Sequence, residues 1–330
     1  MMRTVLVGSR SFGNVVTLGN DLLEDAGFTV LRIREQERPL DDAKLASIVS
    51  REHPEVLIPG AESLPESVLA ASNSLRMIMK HGVGVDNIDL GAATSRGIVV
   101  ANVPGTNAGA VADLTLGLML ALLRRICIAN ASTHRGAWER YMGHELGASV
   151  IGIVGTGRIG ASVARRARAF GARVIAFDVV EDEDLKLACG VEYVPLDRLL
   201  SSADIVTLHA PLLPETEKMI GEAQFEAMKP SAFLVNCARG ELVDEKALCE
   251  HLKTGSIAGA AVDVFAAEPP QDSPLLELDN VLATPHIAAY TYEAMEAMDR
   301  ACAETIVDVM IHGRVPPNVL NPDARSTSGR

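Results

Sequence analysis

A β-branched run that breaks into three spaced glycines constrains this chain more tightly than any other segment. The run is Val150-Ile-Gly-Ile-Val-Gly-Thr-Gly-Arg-Ile-Gly160. Val150, Ile151, Ile153 and Val154 form a short β-branched stretch suited to a buried parallel strand, and the glycines stand where that strand turns into a helix. Gly155 permits the tight turn. Gly157 has no Cβ to hold a ligand away from the backbone and the helix N-terminus, and Gly160 lets the helix pack closely on the sheet. The helix is expected over Ile159 to Phe170, ended by Gly171, with Arg173 to Phe177 as the next strand. Asp178 follows, where a carboxylate accepts hydrogen bonds from ribose hydroxyls and repels a 2′-phosphate. A lone glycine-rich turn is weak evidence. Strand, turn, helix, second strand and terminal acid in this order are the context of a dinucleotide site, and they predict NAD. Val179 and Val180, in place of an arginine, favour NAD over NADP.

The 330 residues suffice for two domains, each with a substantial core. Hydrophobic residues make up 48% of the chain, yet no apolar run reaches membrane-spanning length, so a soluble globular protein with no membrane partner is expected. Met1 to Gly8 enters a strand-like run directly, without the apolar core and cleavage site of an export signal. The five cysteines, Cys127, Cys189, Cys237, Cys249 and Cys302, are scattered without metal-ligand spacing, which predicts free thiols, no metal site and a cytoplasmic location. Lys and Arg total 30 against 43 Asp and Glu, a net charge of −13, and no basic tract tracks a phosphate backbone. Nucleic acid is therefore not an expected partner. An anionic substrate remains compatible, because the local field of a pocket decides what enters it.

Short apolar strands alternate with helical stretches from the start of the chain. Thr4–Val7, Val30–Ile33, Glu55–Ile58, Leu75–Met79 and Ile98–Ala101 form one series, and Asp204–Leu208, Ala232–Val235, Ile257–Val262 and Val281–Ala283 continue the series that begins at Val150. The expected fold class is α/β, with two doubly wound parallel-sheet, Rossmann-like domains. Long helices are expected over Asn107 to Arg125, which lacks proline and is rich in Ala and Leu, and over Ala294 to His312. The polar tail from Asn321 reads as frayed.

Three residues follow successive predicted strands, at the sheet end where open α/β folds bind ligands. Arg239 is suited to a bidentate grip on a carboxylate. His286 exchanges a proton near neutral pH. Glu268, placed beside His286, would orient the ring and raise its pKa. Each has a plainer reading alone, as a surface arginine, a structural histidine and a rigid Glu-Pro-Pro turn. Together they are what a nicotinamide enzyme needs to act on a 2-hydroxy or 2-oxo acid.

The chain also resembles a known family. Gly82-Val-Gly-Val-Asp-Asn-Ile-Asp89, Pro104 to Ala108, Gly155 to Gly160, His209-Ala-Pro211, Asn236 to Asp244, Asp263-Val-Phe265 with Glu268, and Pro285-His-Ile287 are similar to segments of the D-isomer-specific 2-hydroxyacid dehydrogenases, phosphoglycerate dehydrogenase-like branch. The resemblance runs from about Val5 to Asn321. It implies a catalytic triad of Arg239, Glu268 and His286, with Asp263 near the nicotinamide carboxamide. It further implies that NAD meets Gly155, Gly157, Arg158, Ile159, Gly160, Asp178, His209, Ala210, Pro211, Thr216, Cys237, Ala238, Arg239, Asp263, His286 and Ala288. Val83 and Gly84 would present backbone groups to a small 2-hydroxy or 2-oxo acid, joined by Arg239 and by Lys80. A discontinuous substrate domain of residues 1–101 and 289–330, an NAD-binding domain of residues 102–288, and a homodimer built around residues 108–150 are implied as well. Two relatives share the Arg, Glu and His set without the same activity: NAD-sensing corepressors and phosphite dehydrogenases. One departure concerns the substrate. Phosphoglycerate dehydrogenases resemble one another in placing an arginine for the substrate phosphate in the loop that here reads Ile58-Pro-Gly-Ala-Glu-Ser63, which offers Glu62 and no base. Lys80 and His81 are alternative sources of positive charge.

Overall fold

The computed structural model describes residues 3–324. They divide into two compact units, one from Met1–Asn107 and Tyr290–Arg330, the other from Ala108–Ala289.

The first unit carries β1 (Arg3–Val7), β2 (Phe28–Arg32), β3 (Val56–Ile58), β4 (Met77–Met79) and β5 (Val99–Ala101). These strands form one parallel sheet in the order β2-β1-β3-β4-β5. Every residue of β3, β4 and β5 is buried, which explains why their sequences are unbroken apolar runs. Order reverses between β1 and β3, which makes the carboxyl ends of those two strands the topological switch point. The helix Tyr292–Met310 starts two residues ahead of expectation and is capped by Thr291, whose hydroxyl accepts from the Ala294 amide.

Contrary to the frayed tail read from sequence, residues 318–321 close the sheet's β5 edge. Val319 bridges Ala101 in antiparallel fashion, the Leu320 amide donates to the Val100 carbonyl at 2.8 Å, and Asn321 Oδ1 accepts from the Val100 amide at 2.7 Å. Asn321 is buried because its side chain replaces the partner an edge strand would lack. Residues 325–330 of that tail lie outside the described residues.

The second unit carries β6 (Val150–Val154), β7 (Arg173–Phe177), β8 (Glu192–Tyr193), β9 (Ile205–Leu208), β10 (Phe233–Asn236), β11 (Gly259–Val262) and β12 (Val281–Ala283). They pair in parallel in the order β12-β11-β10-β9-β6-β7-β8. The switch point here lies between β6 and β9. Helix Ala108–Leu123 packs against helix Arg158–Ala169, burying Val111, Leu116, Leu118 and Met119 in one core with Ile151, Ile153, Val163 and Ala167. The α/β class with two doubly wound parallel sheets is as the sequence predicted; the two-residue strand β8 was too short to read.

Candidate active site

The glycine turn sits at the switch point of the second sheet. Gly155 leaves β6 at φ +90°, a conformation that favours glycine, and a Cβ there would stand 2.7 Å from the Ala210 amide nitrogen in the loop after β9. A Cβ at Gly160 would strike the Gly155 carbonyl oxygen, so this glycine closes the turn on itself. Gly157 is different: a Cβ there would meet nothing within 4 Å. It is the N-cap of helix Arg158–Ala169, with no side chain capping the helix. Protein packing therefore does not demand glycine at 157, whereas close approach of an anion to the uncapped amides would.

Asp178 stands at the end of β7 and braces the same turn. Its Oδ2 accepts from the Thr156 amide at 2.6 Å and the Thr156 hydroxyl at 3.0 Å. Partial burial works to raise its pKa, but the Thr156 and Val180 amides, the Thr156 hydroxyl and the Val179 amide together hold it below the usual carboxylate value. It is a fixed anion at the point where adenosine ribose lies in a dinucleotide fold. Across the switch point, burial depresses His209 to a pKa of about 3; its Nε2 lies 3.0 Å from the Thr207 hydroxyl, while the buried Nδ1 has no partner among the described residues. Thr216 Oγ1 ties the 211–216 loop, donating to the Pro211 carbonyl at 2.7 Å and accepting from the Leu213 amide at 2.8 Å. Arg158 is exposed, Ile159 packs on the core, and burial pushes the Cys237 thiol up to about 12. The uncapped glycine turn, the fixed acid and the orphaned imidazole nitrogen fit a dinucleotide.

The three residues expected to act on substrate come together in this unit. His286 Nδ1 lies 2.8 Å from Glu268 Oε2, and Glu268 Oε1 accepts from the Phe265 amide at 3.1 Å. The hydrogen bond to Glu268 raises the His286 pKa above its ordinary value; partial burial opposes the shift, the charges of Glu268 and Asp263 add to it, and Arg239 subtracts from it. Burial alone would raise Glu268, yet the bond and charge of His286, the Phe265 amide and the charge of Arg239 bring it below the ordinary value. The pair is thus biased toward imidazolium and carboxylate. With Nδ1 committed to Glu268, Nε2 is the nitrogen left for proton exchange.

Two features that hold this arrangement were not read from the sequence. Gly240, next to Arg239, has its would-be Cβ overlapping the Phe265 carbonyl carbon and the Ala266 amide, so the Arg239 loop and the loop leading to Glu268 touch backbone to backbone. Arg239 itself donates from Nη1 to the Ala238 carbonyl at 2.8 Å, and its own carbonyl accepts from Asn236 Nδ2 at 2.8 Å. Asp263 is fully buried: Oδ1 accepts from the Thr284 hydroxyl at 2.6 Å and the Ile287 amide at 2.9 Å, and Oδ2 from the Ala288 amide at 2.9 Å. The glycine after an arginine was the available signal for the first, and the second needed the register of β11 against β12.

The residues expected to meet substrate in the first unit follow β4. Val83 is exposed, its carbonyl accepts from Asn102 Nδ2 at 2.6 Å, and no described residue accepts from the Val83 or Gly84 amide. Lys80 Nζ donates to the Gly60 carbonyl at 2.6 Å and to Asn87 Oδ1 at 3.0 Å. The His81 ring is fully buried between Ser11, at 2.9 Å from Nδ1, and Asp299, at 2.9 Å from Nε2. Glu62 does have a base: Arg38, from another segment, meets it at 2.6 Å.

The sequence model of the NAD-binding domain of D-isomer specific 2-hydroxyacid dehydrogenases matches residues 116–288. The chain belongs to this family. It is 46% identical over 269 residues to D-3-phosphoglycerate dehydrogenase of Methanocaldococcus jannaschii, covering 81% of this chain and 51% of that protein, so it spans about half that relative's length. Glyoxylate reductase of Korarchaeum cryptofilum is 43% identical over 269 residues, 79% of this chain and 81% of that one. The solved D-lactate dehydrogenase of Aquifex aeolicus, complexed with NAD and lactic acid, superposes with a TM-score of 0.84 at 28% identity, covering 97% of this chain and 99% of that one. The family carries NAD in the domain that the second unit represents. Relatives named as dehydrogenases and reductases do not favour a purely sensing role or phosphite oxidation. Among the described residues, no helix is long and apolar enough to cross a membrane, and no group of three His, Cys, Asp or Glu is placed to hold a metal.

Proposed function

We propose that this chain interconverts a D-2-hydroxy acid and its 2-oxo acid with NAD(H). The observation that carries the reading is the 2.8 Å His286–Glu268 contact, beside a loop that presents Arg239. Bound nicotinamide supplies or accepts the hydride. The protein's share is charge and proton control. In reduction, imidazolium at His286 gives its Nε2 proton to the carbonyl oxygen; in oxidation, the neutral ring takes the hydroxyl proton. Glu268 keeps the ring oriented and stabilises its charged form. Arg239 grips the carboxylate and polarises the adjacent carbonyl. Asp263 fixes the loop that carries His286 and would stand near the carboxamide of a bound nicotinamide. The Val83 and Gly84 amides are the proposed backbone donors to substrate, with Lys80 holding the neighbouring Gly60 loop.

Short uncharged tails, as in hydroxypyruvate and glyoxylate, are the proposed substrates. Lys80 is turned to the Gly60 carbonyl, the His81 ring is buried against Asp299, and Glu62 is paired with Arg38. A cytoplasmic homodimer completes the reading, supported by exposed Ile126, Trp138 and Met142 on the segment proposed as the dimer arm. NADH oxidation measured with hydroxypyruvate, glyoxylate and 3-phosphohydroxypyruvate tests the proposal. Turnover of the unphosphorylated acids is expected. NADH binding without turnover of any acid would overturn it in favour of a sensor, and light scattering after gel filtration tests the dimer.

A further inference from the structure

The edge strand β8 carries a phenol that reaches the glycine turn. Tyr193 stands opposite Ala176 in the β7–β8 register, two residues before Asp178. Its hydroxyl accepts from the Asp182 amide at 3.0 Å and donates to Thr156 Oγ1 at 2.9 Å. The Thr156 hydroxyl in turn donates to Asp178 Oδ2 at 3.0 Å, beside the Thr156 amide at 2.6 Å. The direction of this relay is fixed at both ends, because a backbone amide only donates and an ionised carboxylate only accepts. Both hydroxyl protons therefore run toward Asp178. The ring has its own hold: Lys186 Nζ lies 5.4 Å from the ring centroid, and Lys186 is anchored by Glu181 and, at 2.7 Å, by Glu183. All of these residues belong to the second unit.

We propose that Tyr193 is a positioning residue for cofactor selection, which acts through Thr156 to fix the Asp178 carboxylate that discriminates NAD from NADP. The inference rests on the assignment of Asp178 to the adenosine ribose and adds to it the residue that holds the acid there. With Oδ2 committed to the amide and the hydroxyl of Thr156, the carboxylate keeps one orientation. Held so, it offers ready acceptors to ribose hydroxyls and repels a 2′-phosphate that cannot push it aside. Without the phenol hydroxyl, Thr156 Oγ1 loses the donor that directs its proton to Asp178, and the Thr156 and Val180 amides remain as ties. The acid then turns more freely. NADH loses part of a preorganised partner and NADPH meets less repulsion, so both effects narrow the preference.

The test is fluorescence titration of the full chain with NADH and with NADPH, for the native protein, Tyr193→Phe, Thr156→Val and the double variant. In Tyr193→Phe the ratio of the NADPH to the NADH dissociation constant is expected to fall by about threefold to tenfold, the scale of one neutral hydrogen bond. A merely structural phenol would weaken both cofactors alike, and an unchanged ratio overturns the proposal. Thr156→Val is expected to lower the ratio at least as far. In that background Tyr193→Phe should add nothing, because the relay is already cut; additive effects overturn the route through Thr156. If Tyr193→Phe fails to fold, Thr156→Val decides: a lowered ratio supports the relay and an unchanged one overturns it. Equal affinity of the native chain for the two cofactors would remove the Asp178 assignment and the relay with it, a failure read from the native titrations alone. A clear native preference that survives Tyr193→Phe removes only Tyr193.

Discussion

His286 donates its backbone amide to the Asp263 carbonyl at 2.8 Å while standing at φ +54°, a conformation uncommon for residues other than glycine. The Asp263 carboxylate holds the next two amides, of Ile287 and Ala288. The imidazole is thus aimed by a buried residue just past the neighbouring strand β11, and the strained backbone is fixed from both sides.

Replacement of His286 by Ala is expected to lower kcat by about 10²- to 10⁴-fold, the usual contribution of an acid–base group. NADH affinity, followed by fluorescence titration, should change little. An unchanged kcat removes His286 from the proposed role.

The pH dependence carries a sign. Reduction needs protonated His286, and Glu268 raises the pKa of that ring, so the reductive rate should persist above the ordinary histidine range and fall as pH rises through the raised value. Glu268→Gln removes the largest cause of the shift. Its reductive kcat/KM profile should fall at lower pH than that of the native chain; coincident profiles would refute the coupling.

Asp263→Asn should act on stability and on catalysis together. Its carboxylate accepts from two amides and one hydroxyl, whereas an amide side chain sets its NH₂ donors against some of those donors. A loss of about 1–3 kcal/mol is expected in urea titration, the scale of a buried unsatisfied polar group. A kcat loss should accompany it, in contrast to His286→Ala, which should leave stability near native.

Cofactor choice is expected to follow Asp178. NADH should be preferred to NADPH by kcat/KM. Asp178→Ser should shift the NADPH-to-NADH ratio upward by about tenfold or more, equivalent to roughly 1.4 kcal/mol of relieved repulsion. Equal use of both cofactors by the native chain would contradict the assignment.

Gly160→Ala places a methyl group against the Gly155 carbonyl oxygen. A loss of about 1–3 kcal/mol in thermal or urea unfolding is expected from overpacking, with weakened NADH binding. Gly157→Ala meets no protein atom within 4 Å, so it should leave stability near native and weaken NADH binding alone.

The glycine turn was legible because its chemistry is local: a β-branched run, glycines at fixed offsets and Asp178 lie within one βαβ unit. Arg239, Glu268 and His286 were legible as residues that follow successive strands, since parallel sheets gather such loops at one edge. The loop of Glu62 holds no base, as read, but the base that Glu62 meets was not legible. Its partner Arg38 lies 24 residues upstream, beyond β1's neighbour β2, and only the sheet order brings them together. The same limit concealed Asn321, whose polar side chain reads as solvated until β5 is seen to be an edge. Asp263 reached the sequence reading only through family likeness, because its three donors lie 21 to 25 residues away on the far side of β12.

Asn321 also bears on the order in which the molecule is assembled. The Val100 amide waits for a side chain made 221 residues later, and the helix Tyr292–Met310 of the same unit is translated only after all of Ala108–Ala289. During synthesis, the internal unit emerges whole while the outer one still lacks the segment that caps β5. The part of the chain that leaves the ribosome first is therefore the last to finish folding, and for that interval an apolar strand edge stands unpaired, the state in which nascent chains most need protection from aggregation.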